Sequence, residues 1–126
     1  MSDSQPQYQE IWHTSPAGAH LCVLINGDVG WLAYLRGDGD AGFSSRNPEY
    51  TGPADATIEF KLNNGQVDAY PKAWCYAIET LRRAERHFID TGLPPTFVEW
   101  HNDSRDGKPI IPREPRDPER FGRARW

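Results

Sequence analysis

One helix has to carry the packing of this chain. Between Pro71 and the Pro94-Pro95 pair, apolar residues recur at Trp74, Ala77, Ile78, Leu81, Ala84, Phe88 and Ile89. That spacing lays a single apolar stripe along one face of a helix over residues 73–91. Pro71 suits a first helical position, where its missing N–H is not needed. Gly92 suits the left-handed cap, and two prolines forbid continuation. An isolated amphipathic helix must bury its stripe on something else, and the remaining sequence offers strands.

Residues 20–25 form a short apolar run, and Asn26-Gly27-Asp28 is a tight-turn signal. Residues 29–36 then alternate, with Trp31, Ala33 and Leu35 on one face and Gly30, Leu32, Tyr34 and Arg36 on the other. A second hairpin is predicted over 56–70. Ile58, Phe60 and Leu62 oppose Glu59 and Lys61, and Asn63-Asn64-Gly65 supplies the turn. Short strands are predicted at 43–46 and 96–100; residues 1–18 are polar apart from Ile11-Trp12, and Ser15-Pro16-Ala17-Gly18 reads as a loop. The expected fold class is α+β: a mainly antiparallel sheet of about four to six strands with one long helix packed on one face. The opposite face is left for a partner. Trp31, Phe60, Trp74, Leu81, Phe88 and Trp100 are the expected core.

A chain of 126 residues makes one domain. Its composition changes after Trp100, and the expected division is a domain over 1–103 with a Pro/Arg-rich extension over 104–126. Prolines at 109, 112, 115 and 118 fall every third residue, the period of polyproline II, and Phe121 and Trp126 follow. Residues 1–100 hold 13 Asp/Glu against 7 Lys/Arg, whereas the rest is net basic. An acidic body repels nucleic acid and anionic lipid and suits a basic partner. Cys22 and Cys75 lack metal or redox spacing and sit in apolar runs, as free core thiols do in a reducing compartment. Nothing at the start reads as a signal peptide, no stretch is apolar enough to span a membrane, and a cytoplasmic location is expected.

Several motifs suggest chemistry without completing it. Residues 37–42 match G-x-G-x-x-G, but the following residues start a helix poorly and two aspartates would repel phosphate. Asp38, Asp40, Ser44 and Glu49 half-match a calcium loop, yet Gly42 and Phe43 stand where a ligand and the required glycine belong. His13, His20, His87 and His101 share no metal spacing. The H-x-E and P-C-x-x-C signature of a zinc deaminase is absent from the sequence. Glu59 and Asp68 on neighbouring strands read as a solvated sheet face. Arg82, Arg83 and Arg86 alternate with acids, as on a solvated helix. A binder without enzymatic activity, cofactor or metal is therefore expected. The alternative is a small metal- or nucleotide-binding enzyme using the Asp38–Asp40 loop.

Over residues 30–100 the chain resembles the first-numbered immunity family of bacterial polymorphic toxin systems. The matching pieces are Gly30-Trp31-Leu32-Ala33-Tyr34-Leu35, Gly42-Phe43-Ser44-Ser45-Arg46-Asn47-Pro48, and the segment from Phe60 through Asn63-Asn64-Gly65 to Asp68. Tyr70-Pro71, the helix through Ala84 and Phe88, Gly92-Leu93-Pro94-Pro95 and Glu99-Trp100 continue the order. The resemblance implies a cytoplasmic antidote that binds a cognate toxin, as a monomer or a heterodimer with it, and uses neither nucleic acid nor membrane as partner. Such antidotes are often paired with toxins of the deaminase superfamily, some of which act on cytosine in double-stranded DNA. A basic substrate cleft on such a toxin would be met by carboxylates and aromatics. The expected contacts are Asp38, Asp40, Phe43, Arg46, Glu49 and Tyr50 in the long loop, with Asp55, Glu59 and Asp68 on the sheet side. Trp12 and Trp126 are left open as anchors.

Overall fold

The computed structural model describes residues 7–104. The tail prolines, Phe121 and Trp126 lie outside them. Three strands form an antiparallel meander: β1 (Tyr8–Thr14), β2 (His20–Asn26) and β3 (Val29–Leu35). The β2–β3 turn falls at Gly27-Asp28, with Gly27 at φ 67°. β4 (Phe43–Arg46) pairs with β3 through Ala33 and Tyr34, and β8 (Glu99–Asn102) adds to β4. A two-residue strand, β7 (Tyr76–Ala77), pairs with the start of β3. The sheet order is β1-β2-β3-β4-β8. A separate antiparallel ribbon is made by β5 (Thr57–Lys61) and β6 (Val67–Pro71). The helix is α1 (Ile78–Thr91).

The α+β class is as the sequence suggests, but four features differ. β1 forms in a polar stretch to which the sequence assigns no element. As an edge strand it needs only half of its residues apolar or pinned, and Ile11 supplies the apolar contact on the helix side. The Ser15 hydroxyl accepts from Ala19 N at 3.1 Å and closes the following turn.

The helix starts five residues later than its stripe implies. Pro71 ends β6, opposite Thr57, and Lys72–Trp74 make one 3-10 turn. Cys75 is extended, and Tyr76-Ala77 are drawn into the sheet by Val29 and Gly30. The Ala77 cap has no side-chain bond; instead Ile78 N donates to the Asp28 carbonyl at 2.8 Å. A turn carbonyl thus satisfies an orphan N–H of the first helical turn. The other end is as expected: Gly92 has φ 72° and donates to Phe88 O. The last strand begins at Glu99 rather than 96, because Pro94 and Pro95 are buried and Thr96-Phe97 turn.

The fourth difference concerns the sheet's faces. Leu21, Val23, Ile25, Leu32 and Tyr34 face α1 and pack on Leu81, Ala84 and Phe88. The other face is not left free. The β5–β6 ribbon lies on it and buries Phe60 among Cys22, Leu24 and Cys75. Helix, sheet and ribbon make three layers. Phe60, Leu81 and Phe88 are core as expected, while Trp31, Trp74 and Trp100 are only half-buried at its margins. Ile89, counted in the stripe, is 54% exposed.

Candidate functional site

The long loop after β3 is held by its own charges. Arg36 grips Asp40 with Nε at 2.9 Å from Oδ2 and Nη2 at 2.7 Å from Oδ1. This guanidinium holds the Asp40 carboxyl at a pKa of about 2, well below the usual carboxylate range, despite the opposing effect of burial. It also lies 5.0 Å above the ring of Phe43, which is itself buried. Asp38 is exposed, and its Oδ1 sits 2.7 Å from His20 Nε2. The two aspartates therefore serve different partners. Among the described residues, no three His, Cys, Asp or Glu gather where they could hold a metal ion. The glycine pattern has a steric cause at Gly42. Its φ is 85°, and a Cβ there would stand 2.8 Å from the Tyr34 carbonyl. Strand β4 follows, where a dinucleotide site needs a helix.

The far end of β4 is spent on the fold. Ser45, fully buried, accepts from Leu32 N at 3.1 Å and donates to Trp74 O at 2.8 Å. Asn47 Nδ2 donates to Cys75 O at 2.9 Å. The Arg46 guanidinium stacks 3.7 Å over Trp74 and donates to Ser44 Oγ and Ser45 O. These bonds fasten the 72–76 segment against β4. Beyond them Glu49 and Asp55 are exposed, and half-buried Tyr50 donates to Pro53 O within its own turn. Asp38 and Asp40 lie before β4 and Glu49, Tyr50 and Asp55 after it, so the loop residues sit at opposite ends of that strand. Glu59 and Asp68 are also separated. Glu59 points outward, whereas Asp68 pairs with Phe60 and shares its inward face.

Asp68 leads to the most site-like surface. The ribbon covers only part of its sheet face and leaves a groove of about 180 Å³ beside β1. Trp12, Cys22 and Ala33 are register neighbours and form the floor. Glu10, Leu24 and Trp31 form the next row of the same sheet face, and Leu62, Asp68 and Tyr70 form the ribbon side. Trp31 and Tyr70 stack 4.7 Å apart at 6°. The buried Trp31 Nε1 has no hydrogen-bond partner among the described residues. Glu10 Oε2 accepts from Trp12 Nε1 at 2.8 Å, and Oε1 accepts from Asn63 N at 2.9 Å, which ties the ribbon tip to β1. His20 and Asp38 extend this face at its other end, since Thr14 and His20 continue the same register. Sequence reasoning missed Glu10. Its signal lay in the Glu10/Trp12 alternation, legible only once 8–14 is known to be a strand.

Cys22 in the groove floor and Cys75 beneath the ribbon are both buried free thiols. Burial pushes each up to about 12, with the Glu10 charge adding to Cys22. A thiol raised in the folded state is neutral in both states below its unfolded value near 9. Above it the unfolded chain ionises first, so stability falls as pH rises from about 9 toward 12. Iodoacetamide at pH 8 is expected to leave both thiols unmodified in the folded protein and to alkylate both in urea. Rapid native modification of Cys22 would show its shielding to be absent.

Comparison with known proteins decides the family. The family model described as immunity protein Imm1 matches residues 2–102. The chain belongs to the Imm1 family. No curated protein matches it beyond that. Imm1 membership gives an immunity function against a toxin. It also places the Ser45 and Asn47 clasp, the Gly42 turn and the groove inside the matched span.

Proposed function

We propose that this Imm1 protein is a non-enzymatic cytoplasmic antidote that binds one cognate toxin, a nucleic-acid deaminase, and covers its substrate cleft in a one-to-one complex. Immunity membership carries the reading, and the charge distribution supports the manner of inhibition. Glu10, Asp38 and Asp68 occupy the ribbon side of the sheet, and among the described residues no Lys or Arg lines the groove. Glu59 and Asp55 add exposed carboxylates on and beside the ribbon. The helix side differs. Arg82 pairs with Glu85, Arg86 lies 3.7 Å from Asp90, and Arg83 covers Phe97. A cleft built to hold phosphates is positive, and a carboxylate-bearing face both fits it and speeds encounter.

Co-expression with the product of the adjacent open reading frame tests this. The two are expected to elute as one complex, and the antidote is expected to stop cytosine deamination of a DNA duplex at one equivalent. Raising salt from about 0.05 to 0.5 M should slow association by about tenfold or more, with little change in dissociation. Separate elution, with deamination unaffected by excess antidote, would remove the reading. Salt-independent association would remove its electrostatic part.

A further inference from the structure

We infer that the groove between β1 and the β5–β6 ribbon receives a cationic side chain of the toxin, an arginine or lysine, held on the Trp12 ring between the carboxylates of Glu10 and Asp68. The inference rests on the toxin-binding reading and gives it an anchor point. Trp12 is 51% exposed on a strand whose register fixes its direction. Its indole N–H is already bound to Glu10, so the ring is oriented before any partner arrives. Glu10 is pinned in turn by Asn63, and Asp68 accepts from Gln66 Nε2 at 2.7 Å. A pre-set aromatic face with fixed carboxylates loses little freedom on binding, which is how an exposed tryptophan becomes an anchor.

The chemistry selects a cation over an apolar group. An apolar occupant would strip water from two carboxylates and return no bond to them. A guanidinium or ammonium stacks on an indole and pairs with carboxylates at once. This chain uses the same contact internally, with Arg46 on Trp74, Arg83 on Phe97 and Arg36 on Phe43. Among the described residues no cation covers Trp12.

The test uses the full chain and the toxin domain encoded beside it. Trp12→Ala is expected to weaken the complex by about thirtyfold or more, as a hot-spot aromatic does. The isosteric Asp68→Asn keeps the fold and is expected to weaken it by about tenfold while flattening its salt dependence. Arg86→Ala, on the helix side, should stay within about threefold. Alanine substitution of each Arg and Lys in the toxin cleft should find one position whose loss shrinks sharply in the Trp12→Ala background, the coupling expected of a direct pair. Wild-type binding with both groove variants within about threefold of it overturns the inference and leaves the immunity reading standing. Absence of wild-type binding removes both. Coupling to no cationic position also overturns it, as does a self-association of the free chain that Trp12→Ala dissolves, which would assign the groove to a second copy.

Discussion

Gly30→Ala is expected to destabilise the protein by about 3 kcal/mol or more, through overpacking at a position with no room to relax. A methyl group there would stand 2.2 Å from the Leu24 carbonyl oxygen and 2.5 Å from Leu81 Cδ1. The leucine side chain can turn aside, but the carbonyl cannot. Leu24 is held in register with Glu10 on one side and Trp31 on the other. Gly30 is also the point where β7 joins the sheet, so any local shift reaches the start of α1. Urea unfolding followed by far-UV dichroism measures the effect, which should lower the midpoint with little change in slope. A loss below about 1 kcal/mol would mean that β3 and α1 separate more readily than their packing implies.

Phe60→Ala is expected to be comparably damaging, at about 3–5 kcal/mol for a fully buried aromatic. Its ring is fully buried and centres the cluster that joins ribbon to sheet, packed beside Tyr70 at 6.0 Å. The damage should be local. The helix-side cluster does not include Phe60, so α1 and the helix-side face of the meander keep their packing while the ribbon loosens. The Trp31–Tyr70 stack would then be lost from the near-UV dichroism before the helical signal. Because Leu62, Asp68 and Tyr70 belong to the ribbon, toxin affinity should fall with the near-UV signal. A single cooperative loss of both signals would mean that the two faces unfold as one unit.

What could be read from the sequence was local. Asn26-Gly27-Asp28 and Asn63-Asn64-Gly65 announce their turns by their own backbone preferences, and Gly92 announces the helix end. The helix start was misplaced because Trp74 and Ala77 happen to keep helical spacing. Their segment is instead captured by β3, by Asp28 and by the Ser45 and Asn47 side chains, all distant in the chain. β1 was missed because an edge strand needs few apolar residues, and 8–14 has few. The docking of the ribbon was illegible for a related reason. Alternation says that Ile58 and Phe60 face something, not which face of which sheet.

The same limit applied to the proposed contacts. Asp38, Glu49, Asp55 and Glu59 are exposed as their chemistry suggests. Phe43 lies in the core, Asp40 is gripped by Arg36, and Arg46 is laid on Trp74. Loop composition does not distinguish a side chain offered to solvent from one committed to the fold. Trp12, by contrast, gained its significance only when β1 placed it beside Glu10 in the groove that Asp68 also lines.

The placement of β8 has a consequence for synthesis. β4 lies between β3 and β8, and its pairing joins Phe43 to Asn102 and Arg46 to Glu99. A nascent chain that has emerged only through α1 already holds the meander and the ribbon, yet one side of β4 carries bare backbone N–H and C=O groups. Such a rim is a template for strands of neighbouring chains. That side of β4 is covered only when β8 leaves the ribosome.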